Sequence, residues 1–245
     1  MPGLDIDAAQ AAALLLAATV AGVLRGFSGF GAALVLAPVV SIIVGTHVAV
    51  PAILLAIFAT TVQLFAPAWP HVRWSDQFAL SVPGCIGVPA GVLLLLYLDP
   101  ELMRRAISAI TALIALFLLS GWRSSRPPTR FGAASMGALG GVLSGAASIG
   151  GPPVIAYLLA GPGSHTQTRA TLIYYFAFTQ AASLIMFWIG GLMNWEVLVT
   201  AALIAPALVA GTWAGAKLFH LASERTFRLA ALTILLLVGV STFFA

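Results

Sequence analysis

Long apolar runs make up most of the chain, and the polar positions fall between them instead of alternating with them. Read in order, the runs predict ten helical segments, five on each side of a polar cluster. The first five run from Ala8 to Leu24, Ala32 to Val44, Val48 to Phe65, Asp76 to Leu98 and Leu102 to Leu119. The second five run from Gly132 to Leu143, Pro153 to Ala160, Arg169 to Ile189, Glu196 to Phe219 and Arg225 to Phe244. The cluster itself, with Arg123, Ser124, Ser125, Arg126, Pro127, Pro128, Thr129 and Arg130, is a linker over 123–130 between halves 1–122 and 131–245. Unbroken apolar stretches without a two-residue period argue for helices and against a membrane barrel.

The halves are related. Sliding the sequence by 119 positions lays Gly22 to Ala37 over Gly141 to Ala156, with identities at Gly22/Gly141, Val23/Val142, Leu24/Leu143, Gly26/Gly145, Gly31/Gly150, Val35/Val154 and Ala37/Ala156. Thr60 falls on Thr179 at the same offset. At an offset of 124, Gly87 and Gly91 fall on Gly211 and Gly215, a small-xxx-small face on each fourth helix suited to close backbone packing. In both copies of the first motif an apolar helix runs into small and hydroxyl-bearing residues, and a second apolar helix leaves. A helix interruption repeated in both halves of a hydrophobic chain is a sequence pointer to a transporter's binding site.

Composition fixes the solvent. Of 245 residues, 61% are hydrophobic and only 7% charged, against about 25% charged in soluble domains. The chain is therefore expected to be an all-α polytopic membrane protein with the lipid bilayer as its surroundings. The net charge of +4 contains no basic run, so nucleic acid is not an expected partner, while a homo-oligomer is compatible with the sequence. Asp5 and Asp7 near the start argue against a cleaved signal peptide. The single cysteine, Cys85, rules out an intrachain disulfide and reads as a small buried hydrophobe.

Charge also bears on topology. At about 1.5 Å per residue the first two segments of each half cover about 12–25 Å, short of the ~30 Å hydrocarbon core. Each pair is expected to be re-entrant or broken, returning the chain to the side it came from. The halves are then two inverted repeats of five segments, each opening on a broken helix pair around a Gly-rich motif. Arg73, Arg123, Arg126, Arg130, Arg169, Arg225 and Arg228 share one side, against Arg104 and Arg105 on the other. Counting each pair as a single crossing leaves no such excess. The positive-inside rule selects the first arrangement, with the linker cytoplasmic and the termini outside.

The breaks are where chemistry is expected. Helix N-termini carry unpaired N–H groups and about half a positive charge, which suits an anion. Gly26, Gly29, Gly31, Gly145, Gly150 and Gly151, with Pro152, would let an oxyanion approach the main chain, and Ser28, Ser144 and Ser148 add hydroxyls. Arg25 either supplies a full charge to the site or snorkels to the interface. Thr60, Thr61, Gln63, Thr179 and Gln180 on the third helices read either as cavity lining or as interhelical hydrogen bonding. Tyr174 and Tyr175 read as interface anchors, and Lys217 as a snorkelling side chain. His47, His71, His165 and His220 fall at helix ends without metal-ligand spacing, so neither metal nor cofactor is expected. No Asp or Glu lies mid-segment, so no acidic proton relay is visible. An anion leaving an inside-negative cell gains about 2.3 kcal/mol per charge per 100 mV, which favours export.

On these residues the chain resembles the TauE/SafE family of sulfite exporters. The resemblance rests on the two Gly-rich breaks half a chain apart, the run from Ser144 to Tyr157 containing Gly150-Gly151-Pro152-Pro153, and the two-half layout. Ala32 and Ala33 depart from it, standing where members often have another glycine. It implies export of sulfite or small organosulfonates across the bacterial inner membrane. The motif residues carried over are Gly26, Ser28, Gly29 and Gly31, with Ser144, Gly145, Ser148, Gly150, Gly151 and Pro152. Uptake of a related anion such as thiosulfate is the alternative within transport. Gly26-Phe27-Ser28-Gly29 also matches the Gly-x-Ser-Gly of rhomboid intramembrane proteases. Against that reading, the repeat places Ala147 over Ser28, and the histidines lie at segment ends, leaving no base for a serine nucleophile.

Overall fold

The computed structural model describes residues 6–98, 129–161, 163–221, 223 and 233. The expected segment Leu102 to Leu119, all of Arg225 to Phe244 except residue 233, and nearly all of the linker lie outside the described residues. So do Arg104, Arg105, Arg123, Arg126, Arg225 and Arg228. The described elements are α1 (Ala8–Ser28), α2 (Ala32–Val44), α3 (Thr46–Ala68, followed by a 3₁₀ turn at Trp69–His71) and α4 (Trp74–Tyr97) in the first half. In the second they are α5 (Arg130–Ala147), α6 (Gly151–Ala160), α7 (His165–Ile189) and α8 (Trp195–Phe219). Five of these, α1, α3, α4, α7 and α8, are long and apolar enough to cross a membrane.

Short-range chemistry sets the helix starts. Asp7 and Gln10 form a capping box on α1, and Ser164 and Gln167 do the same on α7. Thr129 and Asn194 accept from the main chain at the starts of α5 and α8. The duplication extends to the ends around each break. Helix α1 stops at Ser28 and α5 at the aligned Ala147, each followed by a left-handed residue, Gly29 (φ 83°) and Ser148 (φ 59°). Helices α2 and α6 begin after the aligned Gly31 and Gly150, and α3 and α7 begin at the aligned Thr46 and His165.

The opening helix of each half packs along the fourth helix of the other. Gly22 and Gly26 of α1 lie against the backbone of α8 at Leu208, Gly211, Thr212 and Ala216, with no room for a Cβ. Gly141 and Gly145 of α5 meet the backbone of α4 at Gly84, Val88, Gly91 and Val92 in the same way. The small-xxx-small faces of α4 and α8 are packing surfaces, as their spacing predicts.

Four expectations change. Helix α1 is 21 residues long and α5 is 18, or about 31 and 27 Å, so α1 matches the hydrocarbon core, α5 falls just below it, and the second member of each pair is the short one. Gly26 does not end α1 because it is sheltered against α8; the helix runs on until Gly29 turns left-handed. Tyr174 and Tyr175 are fully buried, their hydroxyls donating to Phe65 O (3.1 Å) and Gly137 O (2.8 Å), and neither is an interface anchor. Arg169 is not a loop charge. The capping box starts α7 at His165, which places Arg169 inside the helix and buries it. Cys85 is half-buried, not buried. Lys217 is exposed with its Nζ 3.5 Å from the Trp213 ring centroid, in keeping with a snorkelling side chain.

Candidate functional site

The two breaks meet. A cavity of about 20 Å³ is lined by Gly31, Ala32 and Ala33 at the start of α2 and by Ser148, Ile149, Gly151 and Pro152 around the start of α6. Arg25, Phe30, Ile57, Phe176 and Gln180 complete the wall. Ile57 is the middle residue of α3, and Phe176 lies next to the middle of α7, so the cavity sits at mid-length of both long helices. Its volume has room for about one ordered water.

Arg25 dominates the site electrically. It is buried at 2% exposure, which rules out a side chain snorkelling to the interface. Its Nε donates to Thr60 Oγ1 at 2.6 Å, and its Nη2 donates to Thr61 Oγ1. These use two of five guanidinium donors, and no described residue satisfies the other three. Neither does Arg25 pair with a carboxylate among the described residues, where the one ion pair is Arg73–Asp76 at the surface. A buried cation without a counter-charge is costly. The guanidinium carbon lies over the Phe176 ring, 5.9 Å from its centroid.

The network continues across the repeat. Thr61 Oγ1 donates to Gln180 Oε1 at 2.7 Å, and these two positions are 119 apart, the repeat offset itself. A contact between repeat-equivalent residues places them where the halves adjoin. The chain Arg25–Thr61–Gln180 thereby joins α1, α3 and α7 at the cavity.

The main chain adds donors unequally. No side chain caps either α2 or α6, so their first N–H groups have no partner from a cap. At α2 these belong to Gly31, Ala32, Ala33 and Leu34. At α6 Pro152 and Pro153 have no N–H, leaving Gly150 and Gly151. Phe30 (1% exposed), Phe176 (6%) and Ile149 (7%) keep water away and so strengthen the field of the remaining charges.

The other expected residues take supporting places. Ser28 Oγ donates toward Leu24 O (2.7 Å) and Phe30 O (2.9 Å) and accepts from Phe30 N, so it knits the first break together. Ser148 lines the cavity and donates to Val50 O on α3 at 3.2 Å. Gly29 lies against Arg169, Gly150 against Gly140 and Ser144, and Gly26 and Gly145 within the helix pairs above. Thr60 holds Arg25. Thr179 donates to Tyr175 O and sits beside Gly84. Gln63 has a buried Oε1 without a partner. Neither Thr179 nor Gln63 lines the cavity. Among the described residues no group of His, Cys, Asp and Glu could hold a metal.

Two further residues hold the site together. Thr61 is the link between Arg25 and Gln180, and its alignment with Gln180 was the available signal. Arg169 donates to Gly26 O at 2.6 Å and stacks 4.2 Å from the Phe219 centroid, bracing the end of α1. The Ser164–Gln167 capping box was the signal there.

No solved structure matches the chain. A curated protein of Cupriavidus necator, described as a probable sulfite/organosulfonate exporter TauE, is 27% identical over 179 residues, covering 70% of this chain and 68% of that protein. The family model for the sulfite exporter TauE/SafE matches residues 14–242, nearly the whole length and both breaks, and the chain belongs to that family of membrane transporters.

Proposed function

We propose that the protein exports sulfite or small organosulfonates from the cytoplasm, holding the anion between its two helix breaks. One observation carries this reading: both breaks and a buried arginine without a carboxylate partner among the described residues line a single cavity. An oxyanion there would accept from the free donors of Arg25, the amide group of Gln180 and the first amides of α2. It would also supply the counter-charge that no described residue gives Arg25. A sulfonate head is larger than the present cavity, so admitting it requires the breaks to part, as an alternating-access cycle demands. In inverted halves such a movement would open the cavity to one side of the inner membrane and then the other, with the linker in the cytoplasm and the termini outside. The supporting facts are the coincident break positions and the reciprocal packing of α1 on α8 and α5 on α4.

Export over uptake follows from the membrane potential, which drives an anion outward; among the described residues Asp76 and Glu196 stand in first helical turns, away from mid-helix. A protease role is not favoured, since the Ser28 hydroxyl is engaged with carbonyls at a helix end. Flux of labelled sulfite and methanesulfonate in proteoliposomes tests the reading. Outward flux that rises with an inside-negative potential and disappears in Arg25→Ala supports it. Flux of neither anion, or flux indifferent to Arg25, overturns it.

A further inference from the structure

Resting on the anion-site reading above, we propose that Thr61 is a positioning residue that makes the cavity selective for oxyanions that only accept hydrogen bonds, by turning the amide NH₂ of Gln180 inward. Gln180 could offer an anion either of two faces, its NH₂ as donor or its carbonyl as acceptor. Which face it offers is set by its neighbour. The Arg25 guanidinium donates into Thr61 Oγ1. The Thr61 proton is then directed away from the cation, with two acceptors in reach: Gln180 Oε1 at 2.7 Å and Ile57 O at 3.2 Å. Ile57 O already accepts from Thr60 Oγ1 at 2.7 Å, so the nearer and less burdened Gln180 Oε1 takes the proton. A cation at the head of a hydrogen-bond chain polarises every donor after it in the same sense. Gln180 Oε1 is thereby held against α3, and its NH₂ is left for the cavity that Gln180 lines.

The polar wall then presents donors almost throughout. Arg25 can only donate. The amides of Gly31, Ala32 and Ala33 can only donate. Gln180 is fixed as a donor. Ser148 spends its proton on Val50 O, leaving its hydroxyl oxygen as the one neutral side-chain acceptor. Among the described residues no carboxylate lines the cavity. A sulfonate oxygen is an acceptor alone and meets partners on every side. An anion that keeps an O–H, such as a hydrogenphosphate or a phosphonate monoanion, must bury that proton against donors everywhere except at Ser148 Oγ, and an unpaired buried polar group is where discrimination is strongest.

Methanesulfonate and methylphosphonate separate the two cases, since at a pH where the phosphonate carries one charge they match in shape and charge and differ by one proton. Counterflow of labelled methanesulfonate into proteoliposomes of the full-length protein, with each unlabelled anion as competitor, gives the ratio of their apparent affinities. The wild type is expected to prefer methanesulfonate by about tenfold or more. Thr61→Val keeps the shape, removes the proton and frees Gln180 to turn, so the ratio should fall by about fivefold or more. Thr61→Ser should restore it. A role in packing alone would weaken both anions together and leave the ratio unchanged. A wild-type ratio near one, or a Thr61→Val ratio equal to wild type, overturns the selectivity proposal while leaving the anion site intact. Absence of methanesulfonate counterflow in the wild type overturns the transport reading, and the selectivity proposal with it.

Discussion

The two breaks occupy equivalent places in the repeat and differ in what they hold. The first carries Arg25 in the last turn of α1, two left-handed glycines, Gly29 and Gly31, and an α2 start with every amide available. The second has Ser144 where the first has Arg25, a left-handed Ser148, an ordinary Gly150 (φ −74°) and two prolines at the start of α6. One break is rich in donors and positive charge. The other has no charged side chain and fewer amides, and contributes the Ser148 hydroxyl and the uncapped Gly150 and Gly151. Both copies share a shape, a helix that stops and another that starts at mid-length of α3 and α7, while the buried charge and most of the uncapped amides belong to the first copy.

This difference can be broken by exchanging residues between equivalent positions. Arg25→Ala should have the largest effect, a fall in sulfite or methanesulfonate flux of about 100-fold or more, because truncating a buried charged donor costs about 2–5 kcal/mol. Its counterpart Ser144→Ala should change flux by less than about threefold. If the two substitutions cost the same, the charge asymmetry has no functional meaning. Next, Ala33→Pro removes one amide from α2 and gives it the residue that α6 has at the aligned Pro152. A proline in the first helical turn is tolerated, so the protein should still fold while anion affinity falls by about tenfold, the worth of one charge-assisted hydrogen bond. The reverse change, Pro152→Ala, should raise affinity slightly or leave it alone. Smallest is Ser28→Ala. It removes a hydroxyl that ties the first break together outside the cavity lining, and should lower thermal stability by about 1 kcal/mol with flux within about threefold of wild type. Loss of flux in that variant at unchanged stability would place Ser28 in the site itself.

Much of the fold was written in local signals. Apolar runs gave the helices, and the capping pairs Asp7–Gln10 and Ser164–Gln167 mark starts that hydrophobicity alone misjudged by several residues at α7. Glycine was the ambiguous letter. Gly26 read as a helix stop, yet it lies within α1 because α8 presents backbone against it, while Gly29, three residues on, ends the helix through its left-handed φ. Only the tertiary neighbour distinguishes the two. The site was legible as a pair of breaks because both copies remain in the chain, and Arg25 was visible as a charge near one of them. Its hydroxyl partners were harder to select from the polar residues of the third helices. Gln180 lines the cavity and Thr60 and Thr61 bond to Arg25 beside it, whereas Gln63 and Thr179 point elsewhere on the same helices, a matter of helical phase that the apolar background around them does not fix.

A structure determined with saturating methanesulfonate tests the anion site most directly. The sulfonate should lie within hydrogen-bond distance of the Arg25 guanidinium and the Gln180 amide, between residues 31–33 and 148–152. A sulfonate bound elsewhere, with Arg25 still satisfied by Thr60 and Thr61 alone, would contradict it.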